Sequence, residues 1–113
     1  MDQLQHQMQR RDQLDAELRE IQQQAVGYQH TYFEPTEKTQ LQYDAMVYKK
    51  LAPGVRRAND RAYLIHDSWQ VTWISRDPET IVPRLILEHF AYCVPSSPFM
   101  SDNLYHFPFT IFY

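Results

Sequence analysis

Residues 103–113, "NLYHFPFTIFY", carry no formal charge and five aromatic rings. Tyr105, Phe107, Phe109, Ile111 and Tyr113 alternate with Leu104, His106, Pro108, Thr110 and Phe112. A period of two means extended chain, because successive side chains of a strand point to opposite faces. Pro108 has no backbone donor, so this reading places the segment at a sheet edge or on a surface, not in a central strand. Burying five such side chains contributes roughly 8–15 kcal/mol. Ordering the backbone beneath them costs roughly 10–20 kcal/mol. The two nearly cancel, so the segment orders only against a prepared surface. Left in water it would be an aggregating patch.

That constraint makes the rest of the chain a question of supply. The first 29 residues hold nine Gln and one aromatic, Tyr28, so a polar arm precedes an aromatic body. Within the arm, Leu14, Leu18, Ile21, Ala25 and Tyr28 follow 4-3-4-3 spacing. This predicts a helix over 2–26 with a partial coiled-coil seam. Leu4, Gln7 and Arg11 continue the register in mostly polar form, so the seam covers about two heptads. Gly27 is the helix stop.

Further along, Leu41, Ala45, Tyr48 and Ala52 share a helical face, which predicts a helix over 37–51 capped by Thr36. Val55, Ala58, Ala62, Ile65 and Trp69 predict another over 55–68. "WQVTWIS" also alternates, but continuity with the preceding pattern favours helix over 69–75. Pro78 and Pro83 divide a short turn at 78–82 from a helix over 83–93. The expected fold is therefore mainly α: a long N-terminal helix, about three shorter helices and an extended aromatic tail. Its organisation is a helical arm at 1–29, a small body at 30–98 and a docking tail at 99–113, within a single domain.

Chemistry-bearing motifs are few. Gly27 and Gly54 are the only glycines, which excludes the glycine-rich dinucleotide and P-loop phosphate motifs. The five histidines show no metal-ligand spacing, and Cys93 is the only cysteine. His89 precedes Cys93 by four residues, which on a helix would set an imidazole beside a thiol. No orienting group or oxyanion turn accompanies them. The chain reads as non-enzymatic, with no cofactor and no metal.

Net charge is −3, so nucleic acid is not the expected partner. One basic cluster, Lys49, Lys50, Arg56, Arg57 and Arg61, surrounds the turn at 52–54 and offers a contact for an acidic neighbour. No apolar run reaches the length of a membrane span, and MDQLQHQ has no apolar stretch of a secretory signal. An intracellular protein, cytoplasmic or mitochondrial, is expected.

These features predict a structural or accessory subunit of a larger multiprotein assembly, a style of sequence common among small subunits of organellar complexes. Its partners are other protein subunits. Leu14, Leu18 and Ile21 would form one docking surface, Phe107, Phe109 and Phe112 another, and Lys49, Lys50, Arg56 and Arg57 a secondary contact. The alternative is a homodimeric coiled-coil adaptor, paired through residues 4–28, with the tail packed on its own body.

Overall fold

The computed structural model describes residues 2–51, 57–58, 61–62 and 67–113, with side chains described over 10–51 and 67–113. The N-terminal helix is α1, Asp2–Val26. Then come strands β1 (Thr31–Phe33), β2 (Ala45–Lys50), β3 (Arg57–Ala58), β4 (Arg61–Ala62) and β5 (Ser68–Ser75). Helix α2 (Val82–His89) leads into β6 (Cys93–Pro95), β7 (Phe99–Ser101) and β8 (Leu104–Phe112). A six-stranded sheet has the order β1-β2-β5-β8-β6, with β7 also on β8, while β3 and β4 form a separate two-stranded ribbon. β1 runs parallel to β2; β2, β5, β6, β7 and β8 pair antiparallel.

The fold is thus mixed α/β and not mainly α. The helix expected over 37–51 is replaced by the loop 34–44 and β2. The segment 69–75 is strand, not helix. Both errors have one cause. In β2 and β5, residues such as Met46 and Tyr48, or Trp69, Val71 and Trp73, alternate in burial, but neighbours at the sheet ends are also apolar. A short apolar run of this kind fits either period, and pairing of β2 with β5 and of β5 with β8 decides for strand. Most of the helix expected over 55–68 lies outside the described residues.

Helix α1 begins and ends where its pattern predicts, but its stripe is no coiled-coil seam. Leu14 and Leu18 are 0% exposed and Ile21 is 4% exposed. They join one core with Met46, Tyr48, Trp69, Val71, Trp73, Phe109 and Ile111 of the sheet and with Val82 and Ile86 of α2. A lone helix of this length is marginal in water. Here each buried Leu or Ile adds about 1.5–3 kcal/mol, and the partner is the chain's own sheet. Homodimerisation through residues 4–28 therefore finds these three seam residues already occupied.

Polar groups along α1 fix its position on the sheet. Tyr48 donates its hydroxyl proton to Asp15 Oδ2 (2.5 Å), and Arg19 Nε donates to Asp15 Oδ1 (2.5 Å). Arg19 also donates to the Thr31 carbonyl (3.0 Å). The fully buried Gln22 accepts from Thr31 Oγ1 (2.8 Å). A buried polar group left without a partner costs about 1–3 kcal/mol, so these bonds specify one register of α1 over β1 and β2.

The aromatic ending is the longest strand of the sheet and lies inside it. β8 pairs with β5 over its length, Val71 opposite Phe109 and Trp73 opposite Phe107. On its other side it pairs with β6 and β7. The proline fits for a local reason. Pro108 accepts from the Ser96 N–H (2.9 Å), so its carbonyl, and with it the ring nitrogen, faces the β6/β7 side. There the paired strand is interrupted between Pro95 and Phe99, and no ladder bond needs the missing donor.

Candidate functional site

Helices α1 and α2 feed the same core cluster on one face of the sheet. The opposite face has no helix over it among the described residues. By register, β2 places Ala45, Val47 and Lys49 on that face, and β5 places Gln70, Thr72 and Ile74 there, with Ala45 and Ile74 buried. β8 adds His106, Pro108, Thr110 and Phe112. Lys49 is the only formal charge in this set. At the β1 side the connection 34–44 comes over the face, where the Gln42 N–H donates to the Tyr32 hydroxyl (3.0 Å).

A shallow groove of about 270 Å³ runs along the uncovered face, lined in part by Val47, Gln70, Ile74, Phe99 and His106. The rings of Phe99 and His106 are stacked, 4.8 Å between centroids and 9° between planes. The apolar surface continues onto the β6 and β7 edge, where Val94 and Phe99 are 55% and 53% exposed. Such residues cluster at interaction surfaces.

A second concave place lies where α1, α2 and the end of β8 meet. His89 Nε2 donates to Glu17 Oε1 (2.7 Å), and the Tyr113 hydroxyl donates to Glu17 Oε2. The Arg10 guanidinium sits 4.8 Å above the Tyr113 ring, and Phe90 meets that ring edge-on. A cavity of about 220 Å³ adjoins them. Both carboxylate oxygens of Glu17 are engaged, one by each neighbouring element. The arrangement ties α2 and β8 to α1 and leaves no free base.

His89 and Cys93 do not share a helix face, because α2 ends at His89 and Cys93 opens β6. Burial pushes the Cys93 thiol up to about 11, which keeps it protonated at neutral pH and inert as a nucleophile. Iodoacetamide at pH 8 is therefore expected to label native Cys93 slowly and the urea-unfolded chain rapidly; equal rates would show an open thiol. Among the described residues no three His, Cys, Asp or Glu side chains form a metal-holding group, and no helix is long and apolar enough to cross a membrane.

The Tyr48 phenol is held well above the ordinary tyrosine value of 10.0, first by burial and then by its hydrogen bond to Asp15 and that carboxylate's charge. Cys93 is shifted the same way from 9.0. Both groups keep their protons longer in the folded chain than in the unfolded one. Their contribution is complete below pH 9 and falls as the unfolded thiol, then the unfolded phenol, ionises. Urea midpoints are expected to be flat in this respect from pH 7 to 9 and to drop between 9 and 11. Tyr48→Phe should shrink that drop, and an identical profile in the variant would contradict the assignment.

The sequence-predicted docking residues are distributed unequally. Leu14, Leu18, Ile21 and Phe109 are in the core. Phe107 is half-buried and packs against the core, whereas Phe112 is half-buried on the uncovered side by register. Lys49 is exposed on that same side. Lys50 points the other way, 3.4 Å from Asp67 and 5.8 Å from the centre of the Trp69 ring. Arg56 lies outside the described residues, and Arg57 opens β3. The face itself escaped the sequence reading because its members come from three strands far apart in the chain. No protein-family model, curated protein or solved structure matches this chain.

Proposed function

We propose that this chain is a non-enzymatic structural or accessory subunit of a larger multiprotein assembly, docking through the uncovered face of its sheet. One observation carries the reading. Among the described residues the helices cover one face only, and the other bears a single formal charge beside exposed Phe99 and Val94. Antiparallel sheets commonly present one face to water, but then in clean polar form. Here half-buried Val47 and Phe112 interrupt the polar set. Of the docking residues expected from sequence, Lys49 and Phe112 belong to this surface.

A lone cysteine in 113 residues fits a reducing intracellular compartment, cytoplasmic or mitochondrial. The net charge of −3 and the single cation on the face argue against nucleic acid as the ligand. The test is the double variant Val94→Asp/Phe99→Asp, both positions more than half exposed. In native extract the wild-type chain should elute in a particle larger than itself. The variant should elute at monomer size, with circular dichroism and melting unchanged. Elution of both at the same large size would overturn docking by this face.

A further inference from the structure

We propose that Ser97 is the acceptor of a proline-directed protein kinase, and that its phosphate blocks docking by the uncovered face. The second half rests on the docking reading above.

Ser97 stands in "VPSSP", residues 94–98, with Pro95 two places before it and Pro98 directly after. Ser97–Pro98 is the only Ser–Pro or Thr–Pro pair among the seven prolines of the chain. A kinase cleft receives its substrate as extended chain. Each proline fixes its own φ and steers the residue before it away from the helical region. Val94, Pro95, Ser97 and Pro98 are thereby held in the form the cleft needs. Pro98 also has no N–H. A cleft that offers no acceptor after the phosphorylated residue admits proline there and penalises any residue whose donor would be left unpaired.

The fold leaves this stretch accessible. Residues 94–103 are all exposed, the longest such run among the described residues. They lie at the outer edge of the sheet, where β6 and β7 pair only with β8. Between those two strands the Ser96 N–H donates to the Pro108 carbonyl (2.9 Å). Ser97 itself makes no hydrogen bond among the described residues. Other hydroxyls are engaged: Ser75 donates to Asp44 (2.7 Å), and Thr80 accepts from the Trp73 indole (3.0 Å).

In the transfer the Ser97 hydroxyl oxygen bonds to the γ-phosphorus of Mg-ATP, and the bond from that phosphorus to the ADP oxygen breaks. The hydroxyl proton passes to the catalytic carboxylate of the kinase, and ADP leaves. The product carries about −1.5 to −2 charges at pH 7. β6, β7 and β8 contain no Lys or Arg, so the phosphate finds no ion-pair partner on its own strands. It stands in sequence between Val94 and Phe99, the exposed apolar residues of the uncovered face. A partner covering those two side chains would strip the phosphate of water, which an unpaired charge resists.

The experiment incubates the purified full-length chain with a purified proline-directed kinase of the mitogen-activated class and Mg-ATP, and maps the product by tandem mass spectrometry. About one phosphate per chain is expected, on Ser97. Ser97→Ala should take up none and Ser96→Ala should be labelled as the wild type is, both with unchanged melting curves. Pro98→Ala should be labelled at least roughly tenfold more slowly. A folded wild-type chain without phosphate on Ser97, or equal labelling of Pro98→Ala, overturns the assignment of the acceptor. In native extract the phosphorylated chain should elute at monomer size where the unmodified chain elutes in the larger particle. A phosphorylated chain that stays in the particle overturns the block on docking. The Val94→Asp/Phe99→Asp variant separates that failure from failure of the docking reading. Its release from the particle leaves docking by this face standing, and its retention removes it.

Discussion

Phe109→Asp should unfold the chain. Phe109 is 3% exposed, stands opposite Val71 on β5 and opposite Pro95 on β6, and belongs to the core cluster under α1. Truncating a buried Phe alone costs about 3–5 kcal/mol. A carboxylate at the same point adds the cost of burying a charge with no described cation beside it. The sum rivals the total stability of a small domain, about 5–15 kcal/mol. The far-ultraviolet signal of α1 and α2 should be lost together with the sheet, because the helices depend on that core. A variant with native helical content, a native melting point and only a defect in association would show that residues 104–112 dock elsewhere.

Leu18→Asp should be nearly as severe. Leu18 is 0% exposed and lies one turn from Leu14 and from Ile21 and Gln22, all buried. The loss of a buried Leu costs about 2–5 kcal/mol before the charge is counted. Ala16→Asp on the exposed side of the same helix should cost at most about 1.5 kcal/mol, from the lower helix propensity of Asp and the like charges of Asp12 and Glu20 one turn away. Urea unfolding of the two variants separates an internal helix from an external seam. If α1 served only to bind another chain, Leu18→Asp would leave the midpoint of the body unchanged.

The sequence was legible where one element is governed by its own period. The bounds of α1 follow from a long stripe and the stop at Gly27, whose φ is +80°. The position of α2 follows from Pro78 and Pro83, and the extended form of the ending from strict alternation. Legibility failed where neighbours decide. Ala45–Lys50 satisfies a 4-3 spacing and a two-residue alternation equally well, and only pairing with β5 selects the strand. The seam of α1 was visible, but a stripe of Leu and Ile does not reveal whether it meets a helix or a sheet. Pro108 argued against an internal strand, because the break between β6 and β7 that accommodates it is a tertiary feature. The uncovered face was illegible for the same reason: Val47, Thr72 and His106 become neighbours only through the sheet order β2-β5-β8.

Residue-resolved hydrogen exchange tests most directly whether the polar arm and the aromatic ending are one core with the body. The paired amides of β5 and β8, together with those of α1 around Leu14–Ile21, should exchange slowest and share one opening free energy equal to that of global unfolding. Rapid exchange across 104–112, with protection confined to the rest of the sheet, would contradict the account.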